Sequence, residues 1–145
     1  MNALLDVNVL LALGWPNHEH HASVIRWLSE HRAEGWATCP LSESAFVRLS
    51  LNPRVVQHTL TAVQVIVYLR RLVAADDHRF LADDVCLREV DWIDWNLIRG
   101  YRQITDLHLV ALAARHDARL VTLDGGVVEL LPPAIRRHVV VVGKR

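Results

Sequence analysis

Ala3-Leu4-Leu5-Asp6 and Leu120-Val121-Thr122-Leu123-Asp124 decide how this chain folds. Each is a short run of successive apolar residues closed by a carboxylate. Strands buried on both faces read this way, because a parallel sheet covered by helices leaves no side to water. An acid at the end of such a run sits where a parallel α/β sheet opens onto its ligand-binding edge.

Working outward, the elements alternate. Val9 to Leu13 reads as a short helix closed by Gly14 and Pro16. Val24, Trp27, Leu28 and His31 recur at helical spacing within a helix from about Glu19 to Arg32, and Gly35 ends it. Trp36 to Cys39 is a second strand stopped by Pro40. A helix from Ser42 to Leu51 ends at Asn52-Pro53. Residues 60–74 put Ala62, Val65, Ile66, Leu69, Leu72 and Val73 on one stripe, a helix despite the Val and Ile content. Arg79 to Ala82 reads as a third strand, with Asp83-Asp84 as a turn or cap, and Val90 to Arg102 as a helix carrying Trp92 and Trp95. Thr105 reads as the N-cap of a helix running to His116-Asp117. Leu120 to Leu123 is a strand, Gly125-Gly126 a turn before a short helix, and Val139 to Val142 the last strand. Strands alternating with helices predict an α/β fold: one domain over residues 1–145, a mainly parallel sheet flanked by helices on both faces.

Composition bounds the rest. At 52% hydrophobic and 22% charged, 145 residues suffice for a full core. Formal net charge is zero, so no global basic field marks a general nucleic-acid coat, which leaves room for a local groove. Arginine supplies 15 of the 16 basic side chains, Lys144 being the only lysine. That suits bidentate phosphate contact and equally fits a compositional bias. No apolar run approaches a membrane span, and the start lacks a basic leader pattern, so a cytoplasmic protein is expected, with Cys39 and Cys86 as reduced packing thiols.

Four acids carry the functional reading. Asp6 and Asp124 end strands, Asp106 opens a helix after Thr105, and Glu43 lies in the first turn of the helix after the second strand. Each taken alone could be a capping or turn residue. Together they fall on the strand-to-helix edge of one sheet, where their repulsion calls for protonation or a shared cation. Oxygen donors without Cys or His select a hard ion, Mg²⁺ or Mn²⁺. Asp83-Asp84 reads as a cap and Asp91 and Asp94 as a solvated helix face, and His18-Glu19-His20-His21 as surface rather than a zinc site.

Leu4 to Leu10, Ser42-Glu43-Ser44-Ala45-Phe46, Thr105-Asp106-Leu107-His108-Leu109-Val110-Ala111-Leu112-Ala113 and Leu120 to Gly126 resemble, in order, the motifs of PIN-domain ribonucleases, most closely VapC toxins of type II toxin–antitoxin modules. The resemblance spans essentially the whole chain. It implies a PIN-like domain and a metal-dependent endoribonuclease with Asp6, Glu43, Asp106 and Asp124 as catalytic acids. Asp6, Asp106 and Asp124 are the expected metal-binding residues, and Asn8 and Thr105 the supporting polar ones. It further implies a homodimer inhibited by a small antitoxin protein, with operator DNA bound only through the antitoxin complex. Hydrolysis by an activated water predicts 5′-phosphate ends. Arg48, Arg99 and Arg102 are candidate RNA contacts by sequence proximity. Gly125 stands where many close relatives carry an arginine, so no phosphate contact is expected there.

Other classes fit these residues less well. A receiver or haloacid-dehalogenase-like phosphatase requires a site lysine, and the only lysine is Lys144. A catalytically inactive PIN-fold interaction module in a repressor complex is the remaining alternative, against which the intact acidic quartet speaks.

Overall fold

The computed structural model describes residues 1–143; Lys144 lies outside the described residues. Five strands form one sheet: β1 (Ala3–Leu5), β2 (Trp36–Thr38), β3 (His78–Phe80), β4 (Arg119–Thr122) and β5 (Val139–Val141). Their order is β3-β2-β1-β4-β5, and every neighbouring pair is parallel. Among the described residues seven α-helices accompany them: α1 (Val7–Gly14), α2 (His21–Glu30), α3 (Pro40–Ser50), α4 (Pro53–Val56), α5 (Ala62–Leu72), α6 (Arg102–Arg115) and α7 (Pro133–Arg136).

Alternation along the strands builds two cores. Ala3 and Leu5 of β1, Trp36 of β2 and Val121 of β4 pack with Val9, Leu10, Phe46 and Val65 on one face. Leu4, Ala37 and Leu120 pack with Leu107, Val110 and Leu112 of α6 on the other. Side chains two apart share a face, so β1, β2 and β4 each serve both cores, which is why these strands read as successive apolar residues, while the edge strand β3 belongs to neither core. The expected helix-flanked parallel α/β sheet is what forms. Cys39 is buried and Cys86 half-buried, both free. No helix among the described residues is long and apolar enough to cross a membrane.

Several expectations need correction. The segment expected as a helix from Val90 to Arg102 holds only one 3-10 turn, at Trp95–Leu97, in otherwise irregular chain that follows an earlier 3-10 turn at Leu87–Glu89. Ile93 is buried and Trp92 packs against the α6-side core, so the segment is an irregular strap that covers that core. Asp94 accordingly caps the second 3-10 turn by accepting from Asn96 N–H at 3.1 Å rather than lying on a helix face. The helix after it begins at Arg102, so Thr105 is not its N-cap and Asp106 is not in its first turn. Asp106 therefore gains less from the helix dipole than the expected start would give it. The third strand is also displaced, ending at Phe80 rather than reaching Ala82.

Candidate active site

The strand order places the topological switch between β1, from which the chain proceeds to β2 and β3, and β4, which leads to β5. Asp6 immediately follows β1, and Asp124 stands two residues beyond β4. Both thus lie at the crevice where parallel α/β sheets take ligands.

Asp6 is buried, at 7% exposure, and its carboxylate is fixed from two sides. Oδ1 accepts from the Val7 N–H at 2.7 Å as the cap of α1, and Oδ2 accepts from the Thr122 hydroxyl at 2.7 Å. Capping and a site role thus coincide, since a helix starting at the sheet edge points its free N–H groups at that edge. Burial raises the Asp6 pKa; the bonds from Thr122 and Val7 oppose the rise, and the Asp124 charge adds to it. Thr122 Oγ1 also accepts from the Asp124 N–H at 3.1 Å, so one hydroxyl joins the two strand ends. Asp124 is exposed and accepts from the Gly126 N–H at 2.9 Å. Asn8 Oδ1 accepts from the Leu123 N–H at 3.3 Å, a second tie between β1 and β4 exits.

Asp106 approaches from α6. Its pKa is pushed up to about 6, first by burial and then by the charges of Asp6 and Asp124. Those three acids share a cleft of about 760 Å³ whose floor also carries Asn8. Ser44 and Arg48 of α3 form one wall, and Arg102 and Thr105 of α6 the other, with Tyr101 at the start of that helix.

Two expected residues stand apart. Glu43 does not line the cleft; its Oε2 accepts from the Thr38 hydroxyl at 2.6 Å, and Thr38 Oγ1 lies 2.7 Å from His78 Nε2. Alternation gives the reason. Ala37 faces the α6-side core with Leu4 and Leu120, so Thr38 and the carboxylate it holds belong to the opposite face from Asp6 and Thr122. Arg99 likewise stays outside, its backbone N–H donating to Gln103 Oε1 at 2.6 Å. Arg48, Arg102, Asn8 and Thr105 all reach the cleft.

Thr122 and Tyr101 were missed from sequence. For Thr122 a signal existed, because a hydroxyl inside an apolar strand two residues before an acid shares that acid's side of the sheet. Tyr101 carried none. The His18–His21 tract is a surface turn and helix start, as expected: His21 Nδ1 lies 2.7 Å from Ala12 O, and His20 pairs with Glu19 at 3.2 Å.

The donor chemistry fits a hard divalent ion, being carboxylate, amide and hydroxyl oxygen with no Cys or His lining the cleft. Among the described residues, no three His, Cys, Asp or Glu side chains are already gathered as a ligand cluster. The charges of Asp6 and Asp124 raise the Asp106 pKa, and a bound cation would relieve that repulsion.

No protein-family model matches the chain. Curated relatives do. Ribonuclease VapC38 of Mycobacterium tuberculosis H37Rv is 50% identical over 128 residues, 88% of this chain and 89% of that protein. Ribonuclease VapC39 of the same organism is 45% identical over 129 residues, covering 89% and 93%. Ribonuclease VapC44 is 34% identical over 139 residues, covering 95% and 97%. Among solved structures, the fold matches Mycobacterium tuberculosis VapC20, a Sarcin-Ricin loop cleaving toxin, with a TM-score of 0.61 at 19% identity over 88% of this chain and 93% of that one.

Proposed function

Since this chain belongs to the VapC ribonuclease family, we propose that it is an endoribonuclease acting as the toxin of a type II toxin–antitoxin pair. The observation that carries the proposal is the convergence of Asp6, Asp106 and Asp124 on one cleft at the switch point of the sheet. Asp6, Asp106 and Asp124 would hold Mg²⁺ or Mn²⁺. Lewis-acid chemistry at the scissile phosphodiester is what such an ion supplies when bound.

The chain's own groups do the rest. Thr122 and the Val7 N–H hold Asp6 in one orientation, so its carboxylate needs no reorganisation when a ligand arrives. Arg48 and Arg102, on opposing walls, grip the phosphates flanking the cut. Thr105 and Asn8 offer polar contacts beside the acids. Water adds across the P–O bond, leaving a 5′-phosphate and a 3′-hydroxyl.

Exposed Val55, Val63 and Val67 around α4 and α5 support a homodimer. An antitoxin would close the cleft, with operator DNA bound only through that complex, and an RNA target places the site of action in the cytoplasm. Glu43 is proposed as a supporting acid; its engagement with Thr38 is the one observation favouring the second reading, an inactive interaction module.

The test is cleavage of a structured RNA with Mg²⁺ or Mn²⁺. Loss of cutting in EDTA and in Asp6→Asn, with folding retained, supports the nuclease; an Asp6→Asn protein that cuts at the parent rate overturns this site, and a parent that never cuts favours the interaction module.

A further inference from the structure

Tyr101 is the most exposed large side chain among the apolar and aromatic residues described, at 81%, yet it faces the cleft. Nothing in the fold explains it. It occupies the cap position of α6 without a side-chain capping bond, and it belongs to neither core. The Arg102 guanidinium lies over its ring, 5.8 Å from the centroid.

The electrostatics of the cleft make such a group useful. A floor of three carboxylates repels a polyanion, so affinity must come from the walls. Two arginines there serve phosphates, and an uncharged aromatic face serves a base. Tyr101 precedes Asp106 by five residues on one helix, about 7 Å along its axis. That is within the reach of one nucleotide, so a phosphate held at the acids can set its neighbouring base on the ring.

We propose that Tyr101 is a specificity-determining residue: the platform on whose free face an unpaired base flanking the scissile phosphate stacks, with Arg102 over the other face of the ring and serving the adjacent phosphate. The proposal rests on the ribonuclease reading above. It requires that the flanking base be free of Watson–Crick partners, so the cut falls in a single-stranded or looped segment.

The experiment compares the parent, Tyr101→Ala and Tyr101→Phe. Steady-state cleavage is followed on short single-stranded oligoribonucleotides varied at the base beside the cut. Equilibrium binding of the same labelled oligonucleotides is measured by fluorescence anisotropy in EDTA. The expected result is a roughly tenfold or larger loss of affinity and a matching rise in KM for Tyr101→Ala, with Tyr101→Phe within about twofold of the parent. Discrimination among bases at that position should flatten in Tyr101→Ala alone. Equal affinity and KM for Tyr101→Ala and the parent would overturn the stacking role. So would a Tyr101→Phe defect as large as that of Tyr101→Ala, since the hydroxyl rather than the ring would then matter. A parent that neither binds nor cuts RNA instead overturns the ribonuclease reading, and the two failures are thereby told apart.

Discussion

The Thr122 hydroxyl donates to Asp6 Oδ2 at 2.7 Å across 116 residues of sequence, and both side chains are buried. This bond ties the ends of β1 and β4 at the point where the sheet reverses its order. It also opposes the burial that pushes the Asp6 pKa up.

Thr122→Val should therefore destabilise the protein by about 1–3 kcal/mol, because it strands a buried carboxylate and the Asp124 N–H together. The sign with pH follows from the raised Asp6 pKa. Its burden is absent while the acid is protonated and grows as pH rises through the folded pKa. The gap between Thr122→Val and the parent should widen from acid to neutral pH in urea denaturation, and Thr122→Ser should close most of it. A gap independent of pH would show that the hydroxyl serves packing only.

Asp106 gives a second pH signature in the metal-free protein. Its pKa rises from 3.8 to about 6, so the folded state binds the proton more tightly than the unfolded chain. Stability from this group is full below the unfolded value and is lost as pH climbs through 6. With the side chain only half-buried, screening reduces the loss to on the order of 1–2 kcal/mol. Asp106→Asn should be more stable than the parent at pH 7 by that order, the advantage vanishing near pH 4. Denaturant midpoints across this range check it, and an advantage that grows toward acid pH contradicts it.

What was legible in the sequence follows burial. Leu4, Leu5, Leu120 and Val121 read as strands because both faces are covered, and the acids ending those runs fell at the cleft for the same reason. Legibility failed where packing rather than local chemistry sets the backbone. Thr105 looks like a cap, yet α6 begins three residues earlier. Val90 to Arg102 reads as a helix, yet the chain there is an irregular strap that covers the α6 core with Ile93 and Trp92. Sequence gaps could not say which side of the sheet Glu43 would occupy; the register placing Thr38 opposite Ala37's face decided that.

Glu43 then has a measurable consequence. Held by Thr38 rather than lining the cleft, Glu43 touches none of the three acids, and Glu43→Gln should cost single-turnover cleavage much less than Asp6→Asn does. Asp6→Asn should fall to background in the same assay. Equal losses in the two variants would mean that Glu43 leaves Thr38 and joins the acids directly.

Arg48 and Arg102 line opposite walls of the cleft, while Arg99, three residues from Arg102 in sequence, does not line it. Counterion release distinguishes these placements. A single-stranded ligand contributes about 0.7 to the slope of log affinity against log salt for each phosphate neutralised. Arg48→Ala and Arg102→Ala should each flatten the slope by about that amount and weaken binding at low salt, and the double variant by about twice as much. Arg99→Ala should leave the slope unchanged. Titrating a labelled oligoribonucleotide in EDTA over a salt series reads all four variants. An Arg99→Ala slope change equal to that of Arg102→Ala would mean that RNA runs along the strap before α6 rather than between the two walls.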